Sequence, residues 1–202
     1  MPRLILSQHA EVSCFREEIL KMIELRKITR NNLDEVIALK VAENQQAFMT
    51  NTNLRDIADA YAFNSDGVPA TPFAIYANKV VIGFLMYIYD SLDHEAFENK
   101  PFYEKNSYFI WNFMIDECYQ GKGYGKLAFE KMLVDIEMMP HGKAEYVVLF
   151  YQESNVKAKK LYASFGFEET DIVMDNSMFA IKNLTSTCLK LNDKNEKNNE
   201  TV

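Results

Sequence analysis

The sequence predicts one α/β (α+β) domain, and three observations predict it. The apolar stretch Phe113-Met114-Ile115 runs into the glycine loop Gln120-Gly121-Lys122-Gly123-Tyr124-Gly125-Lys126 and then into a helical repeat. The block Tyr146-Val147-Val148-Leu149-Phe150-Tyr151 is likewise followed by a helical repeat, which stops at Gly166. With 48% apolar residues in a chain of 202, there is material for one good core, and the length is usual for one such domain.

In chain order, Asn32-Leu33-Asp34-Glu35 reads as a capping box opening a helix whose apolar residues are Val36, Ile37, Leu39 and Val41. A second helix is predicted over residues 54–61. Asp66-Gly67-Val68-Pro69 breaks the chain, and Asn78-Lys79 makes the turn of a hairpin between Tyr76 and Val80. From Asp90 to Asn106 the pattern lapses into a polar insertion of a length that is usually disordered or functional. A strand over residues 144–151 and a helix from Asn155 follow the glycine loop and its helix. The chain then predicts a final hairpin, residues 171–174 and 177–181, turning at Asp175-Asn176.

Three glycines in five positions leave one side of the loop without Cβ atoms, so main-chain N–H groups can approach an anion closely. The positive end of the next helix adds its dipole. Lys122 and Lys126 supply charge for phosphate oxygens, and Gln120 can bond the loop or a ligand. In form this is a pyrophosphate cradle. It is not a P-loop, because Leu127 follows Lys126 and no glycine stands five residues before Gly125; nor is it a dinucleotide fingerprint, since the spacing is GxGxG. For the loop alone, a plain tight turn from strand to helix stays open.

In the later helix, Asn155 or Ser154 is the cap, and Ala158, Leu161, Tyr162 and Phe165 recur at helical spacing. Gly166 suits a left-handed C-cap. Asn155 and Tyr162 lie about two turns apart, so amide and phenol share a face that one extended ligand could touch.

Together the two segments carry a family resemblance. Gln120-Gly121-Lys122-Gly123-Tyr124-Gly125 resembles the QxxGxG or QxxGxA acyl-CoA loop of the GCN5-related N-acetyltransferase (GNAT) superfamily. Asn155-x-x-Ala158-x-x-Leu161-Tyr162-x-x-x-Gly166-Phe167 is similar to the family's NxxAxxLYxxxGF segment. Upstream, residues 23–28 look like its first strand, residues 41–45 like the end of its first helix, and residues 72–76 with 81–87 like its central hairpin. The wording Phe113-Met114-Ile115-Asp116, then Tyr119-Gln120-Gly121-Lys122-Gly123, is most similar to bacterial spermine/spermidine acetyltransferases. The resemblance covers roughly residues 22–175 and implies a GNAT fold, a mixed central sheet with splayed strands flanked by helices.

It also implies acetyl-CoA as co-substrate, held by main chain at Phe113, Met114 and Ile115, by the loop Gln120 to Lys126, and by the helix opening at Asn155. A backbone N–H near Met114 would polarise the thioester carbonyl. Lys160, with Lys157 and Lys159, is a candidate for holding the cofactor's phosphates, and a plain charged helix face stays equally open for all three. Tyr162 is the expected general acid, a phenol that stays protonated at neutral pH and can give its proton to a departing thiolate. An acceptor ammonium must lose a proton before attack, so a carboxylate or a water chain is needed. Glu153 is carried as the catalytic base candidate and Glu43 and Glu117 as acceptor-binding candidates; a solvated surface role stays open for each. The insertion at residues 90–106 is expected near the acceptor cleft, with Phe97, Phe102 and Tyr103 lining it.

The net charge of −7 disfavours nucleic acid and favours a small cationic amine as partner. No apolar run is long enough to span a membrane. Cys14, Cys118 and Cys188 make no disulfide framework, which points to a reducing cytoplasm, and no histidine sits near Cys118 in sequence to activate it. His9, His94 and His141 have no metal-ligand spacing, so no metal is expected. The domain is placed at residues 22–184, after an extension at 1–21 and before a polar, disordered tail at 185–202. The expected function is acetyl transfer to a polyamine such as spermidine or spermine. A protein amine or aminoglycoside acceptor, a non-catalytic acyl-CoA sensor, and a homodimeric state stay open.

Overall fold

Period-two alternation puts Phe73, Ile75, Leu85 and Tyr87 on one face of a sheet and Ala74, Phe84 and Met86 on the other. Both faces of the sheet's centre are therefore buried. The computed structural model describes residues 23–184, and the expected extension and tail, with His9, Cys14 and Cys188, lie outside the described residues. Seven strands form the sheet: β1 (Ile23–Lys27), β2 (Ala70–Ala77), β3 (Val80–Ser91), β4 (Asn106–Ile115), β5 (Tyr146–Gln152), β6 (Glu168–Met174) and β7 (Ser177–Asn183), in the order β1-β2-β3-β4-β5-β7-β6. Helices α1 (Leu33–Ala38) and α2 (Asn53–Ser65) pack on one face; α3 (Tyr124–Glu137) and α4 (Val156–Ser164) pack on the other.

Neighbouring strands are antiparallel except β4 and β5, which are parallel and joined by the α3 crossover. The sheet is thus mixed, as the resemblance implied. β4 and β5 pair only over Ser107–Ile110 and Tyr146–Leu149. Directly beyond, Tyr87 faces Ile110 while Met86 faces Asn112, so Trp111 is an extra residue in β4. Such a bulge bends its strand and sharpens the twist, and β4 leaves β5 at this point while staying paired to β3 as far as Ile115. Gly83 permits that continued pairing, because a Cβ there would stand 2.4 Å from the Met114 carbonyl oxygen.

Three expectations are corrected. The first helix ends at Ala38, well short of Gln45, and Glu43–Phe48 form a 3₁₀ segment instead. The Lys40 N–H donates to Asp116 (2.9 Å) and the Lys40 carbonyl accepts from the Glu117 N–H (2.8 Å), ties that draw the chain off the helical path. Asn32 makes no capping box: its Oδ1 accepts from the Thr29 N–H (2.7 Å) and its Nδ2 donates to the Lys27 carbonyl (3.1 Å), closing the turn before the helix. The second helix outruns residues 54–61 at both ends, since Thr52 caps it through the Arg55 N–H and Phe63 packs edge-on to Trp111.

The insertion departs from expectation as well. Phe97 and Phe102 do not line a cleft but are buried with Leu92, Val148, Ile172 and Phe179, Phe97 stacking on Phe179 at 4.8 Å. β5 and β7 present Val148 and Phe179 on the face that carries α1 and α2 elsewhere, and the insertion covers that part of it. The final hairpin turns through Asp175 and Asn176, both at positive φ, where the sequence places it.

Candidate functional site

A cleft of about 910 Å³ opens where β4 and β5 part. Its walls are Phe109 to Ile115 of β4, the end of β5 from Leu149 to Gln152, the loop residues Gln120, Gly121 and Gly125, and Asn155, Lys157, Ala158, Leu161 and Tyr162 at the start of α4. Residues drawn from two distant motifs in the sequence therefore share one cavity.

The Asp116 N–H donates to the Ile82 carbonyl of β3 (2.9 Å), while the Ile115 carbonyl turns the other way and accepts from Gln120 Nε2 (2.9 Å). Main-chain groups alternate in direction along a strand, so those of Phe113 and Ile115 face the gap and those of Met114 face β3. The donors near Met114 are thus the amides of its two neighbours. Gln120 Nε2 also reaches Gln45 Oε1 (2.7 Å), fastening the loop to the 3₁₀ segment.

In the loop, Gly121 and Gly123 both take positive φ, and a Cβ on either would meet no atom within 4 Å. Among the described residues no acceptor takes the amides of Gly121 to Lys126. The row of free N–H groups at the start of α3 is suited to an anion. Lys122, Gly123, Tyr124 and Lys126 do not line the cleft: Lys122 Nζ bonds back to the Cys118 carbonyl (2.9 Å), and Tyr124 packs against the core.

At α4, Asn155 Oδ1 caps the helix by accepting from the Ala158 N–H (3.1 Å), which leaves its Nδ2 without a partner among the described residues. Tyr162 is held by rings of Phe129 (5.3 Å) and Tyr151 (5.5 Å), and its hydroxyl makes no hydrogen bond among the described residues. Burial pushes the phenol up to about 12, so it is a proton donor, never a base, near neutrality. Lys157 lines the cleft and Lys160 does not; Lys159 is paired with Glu169 (2.8 Å).

The three glutamates picked from sequence are not brought together. Glu153 is exposed in the turn after β5, outside the cleft wall; Glu43 and Glu117 are exposed as well, with the Glu117 N–H spent on Lys40. Cys118 is exposed outside the wall, and its hydrogen bond to Asp116, with that carboxylate's charge, pushes the thiol up. The polar wall that sequence reasoning missed is Asn51, Asp56, Trp111 and Asn112. Among the described residues no group of His, Cys, Asp and Glu is placed to hold a metal, and no helix is long and apolar enough to cross a membrane.

Comparison with known proteins adds the decisive match: the family model "Acetyltransferase (GNAT) family" fits residues 22–167. The chain belongs to the GNAT family. It is accordingly an N-acetyltransferase dependent on acetyl-CoA, which is its co-substrate. This GNAT chain is 26% identical, over 72% of its length and 88% of the other's, to a spermine/spermidine N(1)-acetyltransferase of Bacillus subtilis. In fold it is similar to a spermidine N-acetyltransferase from Vibrio cholerae in complex with CoA and spermine (TM-score 0.59, 16% identity, 82% and 97% of the two chains). It is equally similar to an aminoglycoside N(6')acetyltransferase from Legionella pneumophila (TM-score 0.59, 16% identity, 84% and 96%).

Proposed function

We propose that this protein moves the acetyl group of acetyl-CoA onto a primary amine of a small polyamine such as spermidine or spermine. The observation that carries the transfer chemistry is Tyr162, a half-buried phenol with no hydrogen-bond partner among the described residues, in the wall of the gap between β4 and β5. The acceptor class is supported by the similarity to the spermine/spermidine acetyltransferase across most of both chains.

In this reading the amides of Gly121 to Lys126 bind the diphosphate, Asn155 Nδ2 bonds the pantetheine arm, and the N–H groups of Phe113 or Ile115 polarise the thioester carbonyl. The acceptor ammonium first gives one proton to water in the open cleft, since Glu153 stands outside the wall. The free amine then attacks the carbonyl carbon; the C–N bond forms and the C–S bond breaks. Tyr162 gives its proton to the leaving sulfur and regains one from the nitrogen. The sum is acetyl amide, thiol and one proton released. Direct transfer is favoured over an acetyl-cysteine, because Cys118 is outside the cleft and its thiol is held protonated. The reducing cytoplasm suits this chemistry and the free thiol at Cys118.

The test is thiol release from acetyl-CoA over a panel of spermidine, spermine, an aminoglycoside and peptides, with product masses. Spermidine or spermine acetylated in preference to the others supports the reading; peptide or aminoglycoside turnover alone reassigns the acceptor, and cofactor binding without any thiol release removes catalysis.

A further inference from the structure

Among the described residues Asp56 is the only aspartate, glutamate, lysine, arginine or histidine that is fully buried, at 1% exposure. It projects from α2 into the polar wall of the cleft. Asn51 Nδ2 (3.0 Å) and Trp111 Nε1 (3.2 Å) donate to its Oδ1, and Asn112 Nδ2 donates to its Oδ2. These three donors are neutral. They satisfy lone pairs and leave the charge itself uncompensated, a costly state for a buried carboxylate. The nearest arginine in sequence, Arg55, pairs instead with Asp59 at 2.7 Å. No cation of the described chain answers Asp56.

Aromatic rings surround the same wall. Trp111 and Phe109 meet edge to face at 5.6 Å, and Phe109 and Phe150 at 5.9 Å, and all three line the cleft. A carboxylate set among aromatic rings that line the same cleft, with water partly excluded, attracts an alkylammonium by charge, and a ring face met by that cation adds its quadrupole. Along β4, Trp111 is two residues from Phe113, whose amide faces the proposed reaction point, an interval of about 7 Å at 3.3 Å per residue. A short methylene chain between two nitrogens spans that distance.

We infer that Asp56, with Trp111, is a second-ammonium site, which holds the non-reacting nitrogen of the acceptor and makes the protein select diamines and longer polyamines over monoamines. This rests on the polyamine reading above but is tested without turnover. Trp111 is the only tryptophan in the chain, so its emission reports on the site directly. Titration of the full-length protein, without acetyl-CoA, with 1,4-diaminobutane and with butylamine compares a dication and a monocation of the same length. The diamine is expected to shift Trp111 emission saturably with a Kd at least ~10-fold below that of butylamine. In Asp56→Asn that ratio is expected to fall to within about threefold.

Equal constants for the two amines in the wild-type protein, or no Trp111 response to the diamine, overturns the site. So does a preference that survives Asp56→Asn. Because Asp56 also holds Trp111 and Asn112, Asp56→Glu and the near-ultraviolet dichroism of both variants are run beside it; should neither variant fold, the wild-type comparison alone decides. A diamine preference without thiol release keeps the cation site and removes acetyl transfer, whereas thiol release with no diamine preference does the reverse.

Discussion

Ile110 and Leu149 form the last pair between β4 and β5, and Trp111 bulges out of β4 directly after it. One inserted residue thus converts a continuous sheet into a sheet with a gap. The gap exposes the main chain of Phe113 and Ile115 on one side and brings Tyr162 to the other, an arrangement that fits the proposed reading of an acyl group set between oxyanion donor and acid.

Tyr162→Phe keeps the ring contacts with Phe129 and Tyr151 and removes only the proton. Turnover is expected to fall by about 10²-fold or more while the Kd for acetyl-CoA stays within twofold. The acid form persists below a pKa raised to about 12, so the group causes no loss of kcat as pH rises through 8 and 9. Its loss begins only as pH nears 12. Steady-state pH profiles of both proteins, with calorimetry for the cofactor, check this; an unchanged kcat in the variant removes the acid role.

The loop glycines are not equivalent. Gly123 caps α3 at φ 83°, a conformation that costs an L-residue roughly 1–2 kcal/mol, whereas Gly125 lies in ordinary helix with its would-be Cβ at 3.7 Å from Ile115. Gly123→Ala should raise the acetyl-CoA Kd about tenfold, and Gly125→Ala should cost less. Calorimetric titration of the two variants, beside their denaturation midpoints, separates loop distortion from global loss of stability. Equal effects would mean that the left-handed turn is not what binds.

How far the sequence carried the reading depends on range. Asn155, Tyr162 and Gly166 were legible because a cap, a helical face and a left-handed stop are all local. Asp56 was not: its partners Trp111 and Asn112 lie 55 and 56 residues away, and nothing near it in sequence marks it as buried. Among the three lysines of α4, helical phase already sets Lys157 nearer than Lys160 to Leu161 and Tyr162. The early end of α1 was hidden because its cause is Asp116, in a distant loop. The insertion misled for a different reason, its charged residues masking two rings that belong to the core.

That burial makes a prediction of its own. Phe97→Ala removes a ring stacked on Phe179 and should destabilise the protein by about 3–5 kcal/mol. Because Phe97 is outside the cleft wall, folded Phe97→Ala should bind acetyl-CoA as the wild type does. Urea denaturation and calorimetry measure the two effects separately. A variant of unchanged stability with impaired acceptor KM would return the insertion to the acceptor site.

Charge around the cleft gives the last test. Lys157 lines the wall, Lys159 is engaged by Glu169, and Lys160 points elsewhere, so of the three only Lys157 is placed to meet a phosphate. Its side chain is exposed, and an exposed charge pair is worth only about 1 kcal/mol and is screened by salt. Lys157→Ala is therefore expected to raise the KM for acetyl-CoA about three- to fivefold at low ionic strength and hardly at all near 0.5 M salt, with kcat preserved. Lys160→Ala should match the wild type under both conditions. A Lys160→Ala effect equal to that of Lys157→Ala would show that the helix acts through its general positive field, and the assignment of a phosphate to Lys157 would fall.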